Sequence, residues 1–393
     1  MSSPARSRPD RYDIAVVALS ARALAASARK AGLSALAIDL FADADTREHA
    51  ALAVCARPSR TGLGFDRRSL PGALEAHAPE GLPVVLGTGF EHAPALMRAI
   101  ARRNPIAGAD ADMVATLKDP KRFDVLLTSL SIPHPQVGGE TRKEDEQLSK
   151  RVGASGGAHI RRGATSAGRG RYLQTYVRGR SVSALFLADG RRAAILGFSE
   201  QWTDPTDLSP FRYGGAVGPV ALEDELSDAI GKALMRIVAA TGLVGLASAD
   251  LILPQNGDAP DFMLLEINPR PGATLDVFDR DDGPSLLGLH LEACAGRLPQ
   301  GYPTPNDARA AATVYADRPL RVAARLRPLW TADWPSCDET VPVGAPVCTV
   351  LAAAASPPAA RALVLERRAA LLESLGAALP APEIVTVKAM APA

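Results

Sequence analysis

Several things are scarce in this chain of 393 residues, and each scarcity excludes something. The four cysteines, Cys55, Cys294, Cys337 and Cys348, lie far apart and never form a CxxC pair. That argues against a zinc site or a disulfide framework and fits a reducing cytoplasm. No apolar run approaches the length of a membrane-spanning helix. Residues 1–6 are polar and basic, but no apolar core follows them, and residues 14–19 are too short a run for a signal peptide. Charge of one sign is missing as well: 44 basic residues face 43 acidic ones, for a net charge of +1. Such a balance predicts no strong attraction to nucleic acid or to anionic lipid. Lysine is rare, with seven among the 44 basic residues, so a lysine inside a motif stands out. No internal repeat, Walker A loop or helix-opening G-x-G-x-x-G is present.

What is there is a globular composition, 47% hydrophobic, long enough for two or three domains. Residues 13–19 read as a buried strand, 21–31 as a helix stopped by Gly32, and 34–40 as a second strand. This is a βαβ opening of a parallel sheet. A strand at 83–87 and a helix at 93–103 extend it, which places a small open α/β domain over residues 1–112. Asp119 and Pro120 suit the N-cap and first position of a helix running to about 130. Strands are expected at 147–152, 172–177 and 181–187, a helix at 222–241 closed by Gly242, and two strands at 249–253 and 261–268 joined by a Gly/Pro/Asn turn. Such a succession argues for an α+β unit over 113–300. Residues 301–393 read as short strands and a final helix near 358–375.

The most specific feature is Leu265-Glu266-Ile267-Asn268-Pro269-Arg270-Pro271. Residues two apart on a strand share a face, so Glu266 and Asn268 present two oxygen ligands together. Asp250, on the preceding strand, can lie beside them. Two carboxylates and an amide oxygen suit Mg²⁺, and Arg270 adds a fork for phosphate. The plain alternative is a strand end with surface carboxylates. A second feature is Lys150 followed by a loop containing Gly153, Ser155, Gly156 and Gly157. Backbone N–H groups of such a loop can cradle phosphate, although a surface hairpin reads the same way. Lys118 and Lys121 bracket Asp119-Pro120 and either reach a phosphate or sit at a solvated helix start. Gln174-Thr-Tyr176-Val177-Arg-Gly179 is a strand whose backbone can meet an adenine edge, as any strand with a turn can.

In this order and spacing, across residues 113–290, these pieces resemble an ATP-grasp enzyme. Residues 18–22, 38–45, 89–91, 197–202 and 213–215 are similar to the carboligase-like subgroup related to biotin carboxylase and to tyramine–glutamate ligases of methanofuran biosynthesis. The resemblance implies a fold that is α/β plus α+β: an ATP-grasp fold with an N-terminal Rossmann-like domain (1–112), an ATP-grasp domain of two subdomains with the nucleotide between them (113–300), and a small C-terminal α/β extension (301–393). It implies ATP held by Lys118, Lys150, Gly153, Ser155, Gly156, Gly157, Gln174, Tyr176 and Val177. One or two Mg²⁺, with Mn²⁺ as a substitute, would sit on Asp250, Glu266 and Asn268, and Arg270 and Lys150 would be catalytic. Two departures from the family pattern stand out. Asp119 is followed by Pro120 rather than Lys, leaving Lys118 and Lys121 as rivals, and Thr175 stands where the hinge often carries Glu. The implied reaction is an ADP-forming carboxylate–amine ligation through an acyl phosphate, with glutamate added in the synthesis of a methanofuran- or tetrahydromethanopterin-type one-carbon carrier. Bicarbonate carboxylation and a non-catalytic ATP-binding module are the alternatives. Because ligands of open α/β sheets bind at strand ends, Ser20, Arg22 and Glu91 are expected near the carboxylate or amine substrate. The expected partners are small molecules and a second copy of the chain, with neither nucleic acid nor membrane.

Overall fold

A computed structural model describes residues 12–60, 64–138, 147–163, 166–255, 261–303 and 305–377. The turn expected at 256–260 and the chain beyond 377 lie outside the described residues.

The βαβ opening forms as its pattern predicts. Four parallel strands lie in the order Leu52–Cys55, Ala35–Asp39, Ile14–Val17, Val84–Leu86. Ile14–Val17 and Ala35–Asp39 are buried along their whole length. A parallel sheet covered on both faces requires continuous apolar strands, and these two supply them. The loops leaving the first and fourth strands carry Ser20 and Glu91, at the carboxyl ends where a crevice opens.

The centre of the molecule is an eight-stranded antiparallel sheet. Its order is Met263–Asn268, Val244–Pro254, Gly179–Asp189, Ala193–Thr203, Tyr213–Gly218, Ala308–Tyr315, Pro346–Ala354, Thr331–Ala332. Three of these strands come from beyond residue 300. Tyr213–Gly218 pairs directly with Ala308–Tyr315, so the C-terminal residues continue the central sheet. The helix Asp224–Thr241 covers one face with Ile230, Ala233, Leu234, Ile237 and Val238, an i, i+3, i+4, i+7, i+8 stripe. It stops at Gly242, whose φ of 71° is the left-handed value glycine adopts most readily. A three-stranded antiparallel sheet, Arg161–Arg162, Gln147–Arg151, Arg171–Thr175, stands across from the large sheet.

Asp119 caps the helix Pro120–Ser129, accepting from the backbone N–H groups of Lys121 and Arg122. Lys118 belongs to a separate helix, Ala111–Lys118, capped by Asp110. That helix was not legible in the sequence. His290 is buried at 1% exposure within the helix Leu286–Cys294. Its Nδ1 accepts from the Leu246 N–H at 2.8 Å, which leaves Nε2 to donate to the Ala107 carbonyl at 2.9 Å. Both ring nitrogens are therefore satisfied in the neutral state, and burial lowers the pKa to about 4 against the Ala107 bond. Among the described residues no helix is long and apolar enough to cross a membrane, and all four cysteines are free.

Candidate active site

The three-stranded sheet, the large sheet and the crevice of the parallel sheet enclose a cleft of about 1290 Å³. Every residue selected from the sequence for nucleotide, metal or catalysis lines it, from Lys118 through Arg270, as do Ser20 and Arg22. Lys121 is exposed and lies outside the cleft lining. Glu91 is also absent from the lining and sits buried behind Arg270.

Strand register brings the acidic group together. Asp250 pairs with Glu266 and Ser248 with Asn268 across the antiparallel ladder, next to an irregularity at Asp250/Leu251. Asn268 donates its amide N–H to Asp250 Oδ2 at 3.0 Å and offers its Oδ1 to Lys118 Nζ at 2.7 Å. Lys118 Nζ also donates to Glu266 Oε2 at 3.0 Å. Gln201, two strands away in the same sheet, donates to Asp250 Oδ1 at 3.3 Å. Burial and the charge of Glu266 together push Asp250 up. Burial would raise Glu266 too, but Lys118 and Lys150 hold it well below the carboxylate range. Two facing carboxylates with an amide oxygen, already drawing in an ammonium group, fit a hard divalent cation such as Mg²⁺.

Lys150 lies opposite Tyr172 in the small sheet. Burial lowers its pKa, against the pull of Glu266 and Asp250. The loop after it turns through glycines with positive φ: 68° at Gly153, 74° at Gly156 and 72° at Gly157. At Gly157 a side chain would collide with the Phe211 carbonyl. The Tyr213 N–H donates to the Gly156 carbonyl at 2.9 Å, so this loop lies across the cleft onto the large sheet. Gln174 is 5% exposed, and its buried Oε1 has no partner among the described residues. Tyr176 packs its ring edge-on to Phe211 at 5.9 Å, with the Arg162 guanidinium 4.6 Å from its centroid.

The far end of the cleft is polar and draws on all parts of the chain. Arg22 grips Asp276 with both terminal nitrogens, one at 2.7 Å. It also donates to Asp333 from Nε and Nη2, each at 3.1 Å. Ser20 and Thr349 each donate to Asp333 at 2.7 Å. Burial would raise Asp333, but Arg22 and these hydroxyls keep it ionised. Asp276, Asp333, Thr349 and Gln201 escaped assignment from the sequence. Gln201 stood in a family-like segment, whereas Asp333 lies in a stretch with no motif.

Known proteins resemble this chain in sequence and in fold. Residues 122–274 match the family described as the ATP-grasp domain. The carbamoyl phosphate synthase large chain of Rhodopirellula baltica is 22% identical over 251 residues, which cover 57% of this chain and 23% of that one. The chain thus spans under a quarter of the length of this curated relative. Among solved structures, the biotin carboxylase domain of the Hydrogenobacter thermophilus 2-oxoglutarate carboxylase superposes with a TM-score of 0.67 at 13% identity, covering 93% of this chain and 90% of that one. An L-amino acid ligase from Bacillus licheniformis gives a TM-score of 0.65 at 13% identity, covering 93% and 98%. The chain carries an ATP-grasp domain and has the ATP-grasp fold.

Proposed function

We propose that the protein is an ATP-dependent, ADP-forming ligase that joins a carboxylate to an amine through an acyl phosphate. The observation that carries this reading is the meeting of Lys118, Lys150, the Asp250–Glu266–Asn268 group and Arg270 in one cleft that continues into the Ser20–Arg22–Asp276–Asp333 end. In this reading residues 113–300 hold the nucleotide, residues 1–112 supply Ser20, Arg22 and Glu91, and residues 301–393 close the acceptor end through Asp333 and Thr349.

A carboxylate is a poor electrophile at neutral pH, and phosphorylation gives it a good leaving group. Phosphoryl transfer asks for alignment and charge neutralisation more than covalent help. Asp250, Glu266 and Asn268 would hold Mg²⁺, which when bound neutralises charge on the phosphates. Lys118 and Lys150 place ammonium groups against the phosphates, and Arg270 faces the transferred group. Gly153, Gly156 and Gly157 let backbone N–H groups approach the phosphates and cover them, keeping water from the acyl phosphate. Gln174, Tyr176 and Val177 line the slot for the base. An amine then attacks the acyl carbon, an amide forms and phosphate leaves.

Glutamate, joined to an amine of a methanofuran-type one-carbon carrier, is the substrate pair the sequence resemblance favours, and the reducing cytoplasm is the setting that fits free cysteines. Bicarbonate is the second candidate for phosphorylation. The H. thermophilus structure, which contains MgADP and bicarbonate on the same fold, favours that reading. The test is ADP release from Mg·ATP across a panel pairing glutamate with tyramine, tyrosine and furan- or pterin-type amines, with bicarbonate as a separate arm. ADP formed only when carboxylate and amine are both present supports the ligase. ADP formed with bicarbonate and no amine supports the carboxylase, and no ADP in any arm contradicts both for these substrates.

A further inference from the structure

Glu91 follows the strand Val84–Leu86 at the edge of the crevice, but its side chain is turned inward and is 5% exposed. One carboxylate oxygen accepts from Arg270 Nε at 2.9 Å and the other from the Gly89 N–H at 2.8 Å. Burial would raise its pKa, but Arg270 and Lys118 hold it below the ordinary carboxylate range, so the pair is ionic. Glu91 occupies the Nε edge of the guanidinium. Of the terminal nitrogens, Nη2 lies 3.4 Å from Asn268 Oδ1. Beside them is Gly272, where any side chain would strike the guanidinium. The segment that carries Glu91 is held firmly. A Cβ on Gly153 would come within 2.7 Å of the His92 Cβ and 2.9 Å of the Glu91 carbonyl oxygen, so the root of the Gly-rich loop rests directly on it.

We propose that Glu91 is a positioning residue, and this rests on the ligase reading above. It touches neither nucleotide nor acceptor. It fixes the Nε edge of Arg270 so that the terminal nitrogens meet the transferred phosphoryl group beside Asn268. An arginine held at one edge by a buried carboxylate loses little freedom when the other edge takes up its ligand.

The test uses the full chain with Glu91→Gln, Glu91→Asp, Arg270→Ala and the Glu91→Gln/Arg270→Ala double variant. Mg·ATP affinity is read by calorimetry, ADP release by kcat and KM, and folding by thermal melts with and without millimolar guanidinium. Glu91→Gln should leave ATP affinity within about threefold while kcat falls by about a hundredfold, with Glu91→Asp in between. In Arg270→Ala the unpaired Glu91 should recruit free guanidinium, raising the melting temperature and recovering at least about tenfold in rate. The double variant should show neither effect. Wild-type kcat in Glu91→Gln, no guanidinium effect in Arg270→Ala, or an equal effect in the double variant would each overturn the proposal. Failure of the wild type to bind Mg·ATP would overturn the ligase reading instead, because the melting arm needs no nucleotide.

Discussion

At the level of single residues, charge and its compensation govern both the site and the stability. His290 gives the clearest pH prediction. In the fold its imidazole is neutral, with Nδ1 occupied by the Leu246 N–H, so a second ring proton would point at another donor. The folded pKa of about 4 lies below the ordinary histidine value of 6.5. The unfolded chain therefore takes up the proton first. The stabilisation is fully present above pH 6.5 and is lost as pH falls toward 4, by up to about 3 kcal/mol. Urea melts from pH 7 to pH 4 should show this loss, and His290→Gln should flatten it. An unchanged slope in that variant would remove His290 from the acid sensitivity. At this scale the sequence was informative wherever chemistry sat on one strand. Glu266 and Asn268 could be paired by their spacing, and Asp250 lay one strand away. It was uninformative where partners lie far apart. Glu91 meets Arg270 179 residues away, and Arg22 meets Asp333 across 311. No local pattern encodes such pairs.

At the level of elements, helices with caps and clear periodicity were legible. Pro120–Ser129 starts at Asp119, and Asp224–Thr241 ends at Gly242, as expected. A strand rich in glycine was harder to see. Tyr213–Gly218 carries three glycines in six residues. It is a strand because its neighbours, Ala193–Thr203 and Ala308–Tyr315, pair on both sides. The Gly-rich loop shows how one element is tuned by two kinds of glycine. Gly156 and Gly157 share left-handed backbone, but a Cβ at Gly156 meets open space, whereas at Gly157 it meets the Phe211 carbonyl. Gly156→Ala should therefore cost about 1–2 kcal/mol of local strain and leave the loop in place. Gly157→Ala should lift the loop from the large sheet, with a loss of kcat well beyond that of Gly156→Ala at similar melting temperature. Equal kinetics in the two variants would show that contact with Phe211 does not matter to turnover.

At the level of the whole molecule, the polar end of the cleft is also where distant parts of the chain are fastened together. Ser20 and Arg22 come from the parallel-sheet part of the chain, Asp276 from just after the strand Met263–Asn268, and Asp333 and Thr349 from beyond residue 300. Asp333 itself stands at a positive φ of 57°, held by its hydrogen bonds. Its backbone N–H and that of Trp334 both donate to Asp45, at 2.7 and 3.2 Å. Asp333→Ala should leave Arg22 buried with Asp276 as its main remaining partner and cost about 3 kcal/mol, read in urea melts. It should also weaken whatever acceptor binds there while sparing ATP affinity. Loss of ATP affinity of the same size would place Asp333 in the nucleotide site. The sequence suggested a C-terminal extension and gave no sign of this role, because residues 301–393 carry no motif. Their contribution arises from the sheet, which delivers Asp333 and Thr349 to the cleft.

In the proposed function this cleft uses Mg·ATP to activate a carboxylate for attack by an amine. The most direct test of that function is ADP formation by the wild type and by Glu266→Gln, with carboxylate and amine each omitted in turn. The wild type should form ADP only with both substrates present. In Glu266→Gln, which keeps the shape and loses the charge, the rate should fall by about 10²–10³-fold at unchanged melting temperature. Wild-type rates in Glu266→Gln would contradict the proposed function.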